Sequence, residues 1–141
     1  MFLTDLNSMA ILKQGQSRSI NWENRKGEKG RGGMASGPLG PSQKGSPCIP
    51  LIKAGETVTL AEIEGPAVIQ HIWMTVTGQV SPANRYILRD LVLRMYWEGE
   101  DAPSVESPLG DFFCCGFGVS CQVNSLPVAV NPTRGFNCYF P

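Results

Sequence analysis

Apolar and polar residues alternate along much of the chain after residue 51, a pattern typical of β-strands. In the stretch ETVTLAEIEG, Val58 and Leu60 alternate with threonines, and a turn predicted at Gly65 and Pro66 leads into AVIQHIWMTV. The stretch YILRDLVLRMYWEG predicts the longest strand, with apolar residues on both of its faces. Shorter strands are predicted at SVESPL, VSCQVN, LPVAV and FNCYF. Because turn residues recur at a spacing of about 8 to 12 residues, we expect an all-β fold, an antiparallel jelly-roll β-sandwich.

The part of the chain before residue 51 follows other patterns. Leu3, Leu6, Met9 and Ala10 recur at helical spacing and predict a short N-terminal helix within residues 1–16. Residues 17–50 are rich in glycine and proline and are expected to form a loop, either a linker or a functional segment. Residues 51–141 contain the strands, and the sequence stops on the apolar run NCYFP. An apolar edge strand without a polar tail invites pairing, so we expect the jelly roll to be incomplete at the C terminus.

Composition and charge exclude several classes of function. The chain has 141 residues, 42% of them hydrophobic, which suffices for a buried core. Twelve basic and twelve acidic residues cancel, so we expect no general affinity for nucleic acid or for an anionic membrane. No apolar run is long enough to span a bilayer, and the N-terminal residues do not resemble a signal peptide. We therefore expect a cytoplasmic protein.

The cysteines and the single histidine do not predict a metal site. Five cysteines occur without a CxxC pair, and His71 lies far from all of them along the sequence. Free cysteines are commonly buried, so we expect small, buried, reduced thiols and neither metal nor cofactor.

The stretch NWENRKGEKGRGGM lacks the GxxxxGK[ST] order of a phosphate-binding loop. Trp22 beside Arg25, Lys26, Lys29 and Arg31 is a candidate for base stacking, but Glu23 and Glu28 interrupt the positive charge. Two carboxylates can hydrolyse a glycosidic bond, but acids among basic residues also form solvated ion pairs. The sequence leaves both interpretations of the two glutamates open.

A second candidate is the stretch SPLGDFFCCGFG, in which Asp111 follows a predicted glycine turn and precedes Phe112. A carboxylate beside aromatic rings suits a sugar, although a capped turn with a core phenylalanine pair is the structural alternative. His71 and Trp73 share strand parity and are expected on one face.

Four stretches together resemble a known family: SRSINWENRKGEKGRGGMA, GPAVIQHIWMTV, LVLRMYWEGEDAPSVESPLGDFF and NSLPVAVNPTRGFNCYFP. They resemble, in order and from about Ser17 to Pro141, the DUF2961 family, now grouped as glycoside hydrolase family 172. The resemblance implies two tandem jelly rolls per subunit, of which this chain is the first, and assembly into trimers or multiples of trimers. It also implies hydrolysis of furanosides with retention, by one glutamate as nucleophile and another as acid/base, both beyond the matched part. The sequence departs from the family pattern at Cys114, Cys115 and Phe117.

The resemblance implies a furanoside-acting glycoside hydrolase, with a fructofuranoside, an arabinofuranoside or a difructose dianhydride as substrate. The alternative is a non-catalytic jelly-roll assembly or carbohydrate-binding module. Catalytic residues stay unassigned. The residues expected to bind substrate are Trp22, Glu23, Asn24, Glu28, Lys29, Trp73, Asp111 and Phe112.

Overall fold

The computed structural model describes residues 11, 14–37, 40–41, 48–49, 51–77, 82–131 and 135–139. They belong to two compact units, the first ending at Ala67 and the second beginning at Val68. The residues whose spacing predicts an N-terminal helix, Leu3 to Ala10, lie outside the described part.

The first unit contains one short antiparallel hairpin and an extended segment. Strand β1 (Ser36–Gly37) pairs with strand β2 (Gly40–Pro41). The strand predicted at ETVTLAEIEG is wrong, because residues 51–67 are fully described and include no strand. Val58 and Leu60 are half-buried, while Thr57 and Thr59 are exposed, so the alternation in the sequence corresponds to alternating burial of side chains without a strand. A strand also needs a neighbouring ladder. Among the described residues of its unit, this segment has one backbone hydrogen bond to another segment, from the Glu62 amide to the Arg25 carbonyl (2.9 Å).

The second unit contains two antiparallel sheets and two single-turn helices. The larger sheet has the order β3-β8-β7-β6, and the smaller one pairs β4 with β5. The larger sheet comprises β3 (Ile72–Met74), β6 (Val123–Asn124), β7 (Val128–Val130) and β8 (Phe136–Cys138). The smaller sheet comprises β4 (Val92–Met95) and β5 (Val105–Pro108). The helices are α1 (Ile87–Asp90) and α2 (Leu109–Phe112). A 3₁₀ turn is formed by Pro82–Asn84.

The long strand predicted at YILRDLVLRMYWEG is wrong in its first half. Residues 87–90 form α1, and only Val92–Met95 form a strand. The helical turn leaves the Leu88 side chain 1% exposed and lets Arg89 pair with Asp111. Tertiary burial of one leucine therefore overrides the strand propensity of the neighbouring β-branched and aromatic residues.

One face of the larger sheet forms the core of the second unit. Phe136 and Cys138 on β8 and Val128 and Val130 on β7 are all at most 4% exposed. The Phe113 ring, which is fully buried, lies 5.3 Å from the Phe136 ring. The remaining buried apolar residues are Leu88, Leu93, Leu109 and Cys115.

The described residues are arranged mainly in antiparallel sheets with few helices, which is compatible with the all-β prediction. The jelly-roll sandwich stays a prediction. All five cysteines are free thiols, but the prediction that they are buried is wrong for Cys48, Cys114 and Cys121, which are exposed. These three lie in or beside loops, where no sheet face covers them.

Candidate functional site

The glycine-rich stretch of the first unit is organised around the buried side chain of Asn24, which is 5% exposed. Its Nδ2 donates to the carbonyl oxygens of Ser19 (3.3 Å) and Glu28 (3.0 Å), and its Oδ1 accepts from the Glu28 amide (2.9 Å). Gly27 adopts φ +65° within this turn, where its missing Cβ leaves room for Ile20. Asn24 thus uses its amide group to close the turn.

Glu23 connects the same turn to the residues that precede β1. Its Oε1 accepts a hydrogen bond from the Met34 amide (3.1 Å) and its Oε2 accepts one from the Ala35 amide (2.8 Å). Hydrogen bonds to a charged acceptor are stronger than neutral ones. Because both carboxylate oxygens bind backbone, Glu23 holds the end of the glycine segment in place.

The other candidates in this stretch are more open to solvent. The Arg25 guanidinium lies 4.8 Å from the Trp22 ring centroid, so a cation covers one face of that ring. Glu28 and Arg31 form an exposed ion pair at 4.0 Å, and Lys29 is exposed as well. For Glu28 the structure therefore favours the solvated ion pair.

The second unit presents an aromatic surface on the side of the larger sheet opposite its core. Strand register places Trp73 directly opposite Asn137, and the Trp73 side chain is 58% exposed. The neighbouring pair is His71 and Tyr139, whose rings stack at 4.6 Å with an interplanar angle of 2°. We call His71, Trp73, Asn137 and Tyr139 the aromatic platform.

The hydrogen bonds of Asn137 indicate how it meets the His71 ring. The Asn137 Nδ2 lies within donating distance of the carbonyl oxygens of Ala129 (3.3 Å) and Gly135 (3.4 Å). This orients the Asn137 Oδ1 as the acceptor that faces His71 Nε2 at 3.2 Å. Nε2 must then donate, which leaves Nδ1 of a neutral imidazole as a hydrogen-bond acceptor. Asn137, only 9% exposed, thereby positions the imidazole.

Asp111 and Phe112 lie on α2, so the glycine turn predicted before Asp111 is wrong. Gly110 is a buried residue of this helix, where an added Cβ would lie 2.8 Å from the Cys115 carbonyl oxygen. The Asp111 carboxylate forms an ion pair with the Arg89 guanidinium. Phe112 is half-buried, and its ring meets the Phe113 ring edge-to-face at 5.0 Å. This matches the structural alternative stated for this stretch, a phenylalanine pair at the core.

The predicted site residues thus fall into separate groups. The first unit brings together Trp22, Glu23, Asn24, Glu28 and Lys29 in one turn; the second unit carries Asp111 and Phe112 on α2 and Trp73 on β3. The sequence reasoning missed Asn137 and Tyr139. Their common parity in FNCYF signalled a shared face, but no local signal shows that β8 pairs with β3.

Membership of a family follows from comparison with known sequences. The sequence model described as GH172 domain-like matches residues 49–141, about two thirds of the chain. The chain therefore belongs to this family, which is a family of glycoside hydrolases. No curated protein matches the chain.

Two further properties concern the described residues alone. None of their helices has the length and hydropathy needed to cross a membrane. Their His, Cys, Asp and Glu side chains form no cluster of three or more that is arranged to hold a metal ion.

Proposed function

We propose that this chain is part of a glycoside hydrolase that acts on furanosides and that its aromatic platform receives a sugar. The observation that carries the proposal is the exposed Trp73 ring on the same face as the His71 imidazole, which lies 3.2 Å from the Asn137 Oδ1. An aromatic face suits the apolar face of a sugar ring, and Nδ1 of His71 suits a hydroxyl donor. Family membership supports the glycosidase class, and the motif resemblance supports the preference for furanosides.

The catalytic pair of the proposed retaining mechanism stays unassigned. Both oxygens of Glu23 are engaged by backbone amides, and Asp111 is paired with Arg89. A catalytic carboxylate must instead reach a glycosidic oxygen or an anomeric carbon. We propose that carboxylates elsewhere in the enzyme supply this chemistry, and that the subunits assemble as trimers or multiples of trimers.

The same engagement of carboxylates favours a second candidate, a carbohydrate-binding module without catalysis. The two candidates share the aromatic platform and differ in turnover. Binding without hydrolysis supports the module, whereas binding with hydrolysis supports the enzyme.

The test is calorimetric titration of the folded chain with a difructose dianhydride, with hydrolysis followed by NMR. A sugar that covers on the order of 50 Å² of Trp73 gains roughly 1.3 kcal/mol at about 25 cal/mol per Å². We expect Trp73→Ala to lower the affinity about tenfold. Trp97→Ala is the matched control, since Trp97 is 44% exposed and lies beyond the end of β4.

Equal affinities for wild type and Trp73→Ala would exclude the platform as the binding surface. No binding by the wild type, with circular dichroism confirming that it is folded, would contradict the proposed carbohydrate ligand altogether.

A further inference from the structure

Three of the five cysteines, Cys114, Cys115 and Cys121, lie within eight residues of one another after α2, and two of their sulfur atoms face each other. The Sγ atoms of Cys115 and Cys121 are 3.6 Å apart. A disulfide has an S–S distance of about 2.05 Å, so the two sulfurs need to approach by roughly 1.5 Å. Side-chain rotation and a small adjustment of the intervening turn suffice for a shift of that size.

The two thiols differ in access. Cys115 is 1% exposed and is held by backbone bonds from its own amide to Gly110 (2.6 Å) and from the Gly118 amide to its carbonyl (3.1 Å). Cys121 is exposed, and its Sγ also lies 3.7 Å from the Cys114 carbonyl oxygen. A reagent dissolved in water therefore reaches Cys121 first, and the buried Cys115 sulfur lies 3.6 Å from the Cys121 sulfur.

The turn between the two cysteines is suited to adjustment. It contains Gly116 and Gly118, the latter at φ +76°, and the side chain of Phe117 between them is fully exposed. Phe117 does not have to leave the core when this turn moves, whereas Gly118 is buried beside the Arg89 side chain.

We propose that Cys115 and Cys121 are a modification site, a dithiol that a peroxide-class oxidant converts into an intrachain disulfide. This inference does not depend on the proposed function. The thiolate of Cys121 attacks one peroxide oxygen, the O–O bond breaks, and hydroxide leaves to give a sulfenic acid. The Cys115 sulfur then attacks the Cys121 sulfur, the S–O bond breaks, and the Cys115 proton departs with the hydroxyl as water. Two thiols lose two electrons in total, and the peroxide is reduced to two waters.

The order of these steps follows from burial. Burial raises the pKa of the Cys115 thiol, so it keeps its proton until the sulfenic acid has formed beside it. Cys114 is the other cysteine near this pair that could form the disulfide. The sulfur that lies against the Cys115 sulfur is that of Cys121, however, and Cys114 approaches Cys121 with its carbonyl oxygen.

The disulfide would change the surroundings of Asp111. A Cβ added to Gly116, the residue after Cys115, would lie 3.7 Å from Asp111 Oδ1, and the Gly116 carbonyl is 3.5 Å from Arg89 Nη1. Tethering Cys115 to Cys121 restricts the backbone that borders the Arg89–Asp111 ion pair.

The experiment treats the reduced full chain with stoichiometric hydrogen peroxide. Free thiols are counted after denaturation, and the linked peptides are identified by mass spectrometry. We expect loss of two of the five thiols, a Cys115–Cys121 crosslink, and full recovery of the thiols on addition of dithiothreitol. Cys48→Ser and Cys114→Ser are matched controls that keep the crosslink.

Cys121→Ser removes an exposed thiol and should abolish the crosslink without affecting folding, so the test does not depend on the buried Cys115. A crosslink that includes Cys114, a crosslink between two chains, or oxidation to sulfinic acid without any crosslink would each overturn the proposal.

Discussion

Replacement of Asn24 by alanine tests whether this residue shapes the glycine-rich turn or is free for a ligand. The substitution removes three hydrogen bonds, two to carbonyl oxygens and one from an amide. A hydrogen bond contributes about 1 kcal/mol net, so the turn loses up to about 3 kcal/mol. Water partly replaces the lost bonds because Ser19 and Glu28 are exposed, which sets a lower estimate of about 1.5 kcal/mol.

Trypsin cleavage measures this loss directly, because Arg25 and Lys26 lie inside the turn and Lys29 and Arg31 follow it. Cleavage of a segment that opens transiently follows the population of the open form. The estimated loss therefore predicts cleavage that is between about tenfold and about 150-fold faster. The rate is quantified by mass spectrometry and normalised to cleavage at Arg94 in the second unit.

Asn21→Ala is the matched control. The Asn21 side chain is exposed and accepts a single hydrogen bond, from the Glu23 amide at 3.1 Å. Its loss costs at most about 1 kcal/mol, or about fivefold in cleavage rate. If Asn24→Ala is cleaved no faster than Asn21→Ala, then Asn24 does not hold the turn and the reasoning fails.

Two further predictions concern the second unit. Gly110→Ala should lower the free energy of unfolding by about 1 to 3 kcal/mol in urea denaturation, because its Cβ would lie 2.8 Å from the Cys115 carbonyl oxygen and 3.1 Å from Leu88 Cβ. Gly116→Ala, whose Cβ meets only ordinary contact distances, should be nearly neutral; equal losses in both variants would contradict the steric argument. Burial raises the pKa of the Cys115 thiol in the folded chain above its ordinary value of 9.0. At a pH between the pKa of the unfolded chain and that of the folded chain, the unfolded chain has released this proton and the folded chain keeps it. The free energy of unfolding should consequently fall as pH rises above that value, and under reducing conditions Cys115→Ala should show a shallower fall; parallel pH profiles would refute this assignment.

Local sequence predicted individual features of the candidate site. Composition marked the glycine-rich stretch as a loop and left its role open. The shared parity of His71 and Trp73 predicted a common face, and in the structure Asn137 lies opposite Trp73 in the strand register and 3.2 Å from His71 Nε2. The roles of individual residues were less accessible. The sequence does not show that both oxygens of Glu23 bind the amides of Met34 and Ala35, eleven and twelve residues away.

What the sequence determined by itself is the set of properties that repeat over short distances. The stretches LPVAV and FNCYF predicted strands, and β7 and β8 lie there. Because side chains in a strand alternate with a period of two residues, Val128, Val130, Phe136 and Cys138 share one face, which the structure buries. The combination of motifs likewise identified the family that the comparison with known sequences confirms.

The tertiary structure alone decided which segments pair and which apparent strands become something else. β3 and β8 are separated by more than 60 residues, yet their pairing creates the platform by bringing Asn137 opposite Trp73. Residues 87–90 have strand-like composition but form a helical turn, because this buries Leu88 against α2. The physical reason is that propensity is a local quantity of a few tenths of a kcal/mol per residue, whereas ladder partners and burial depend on residues far away along the chain.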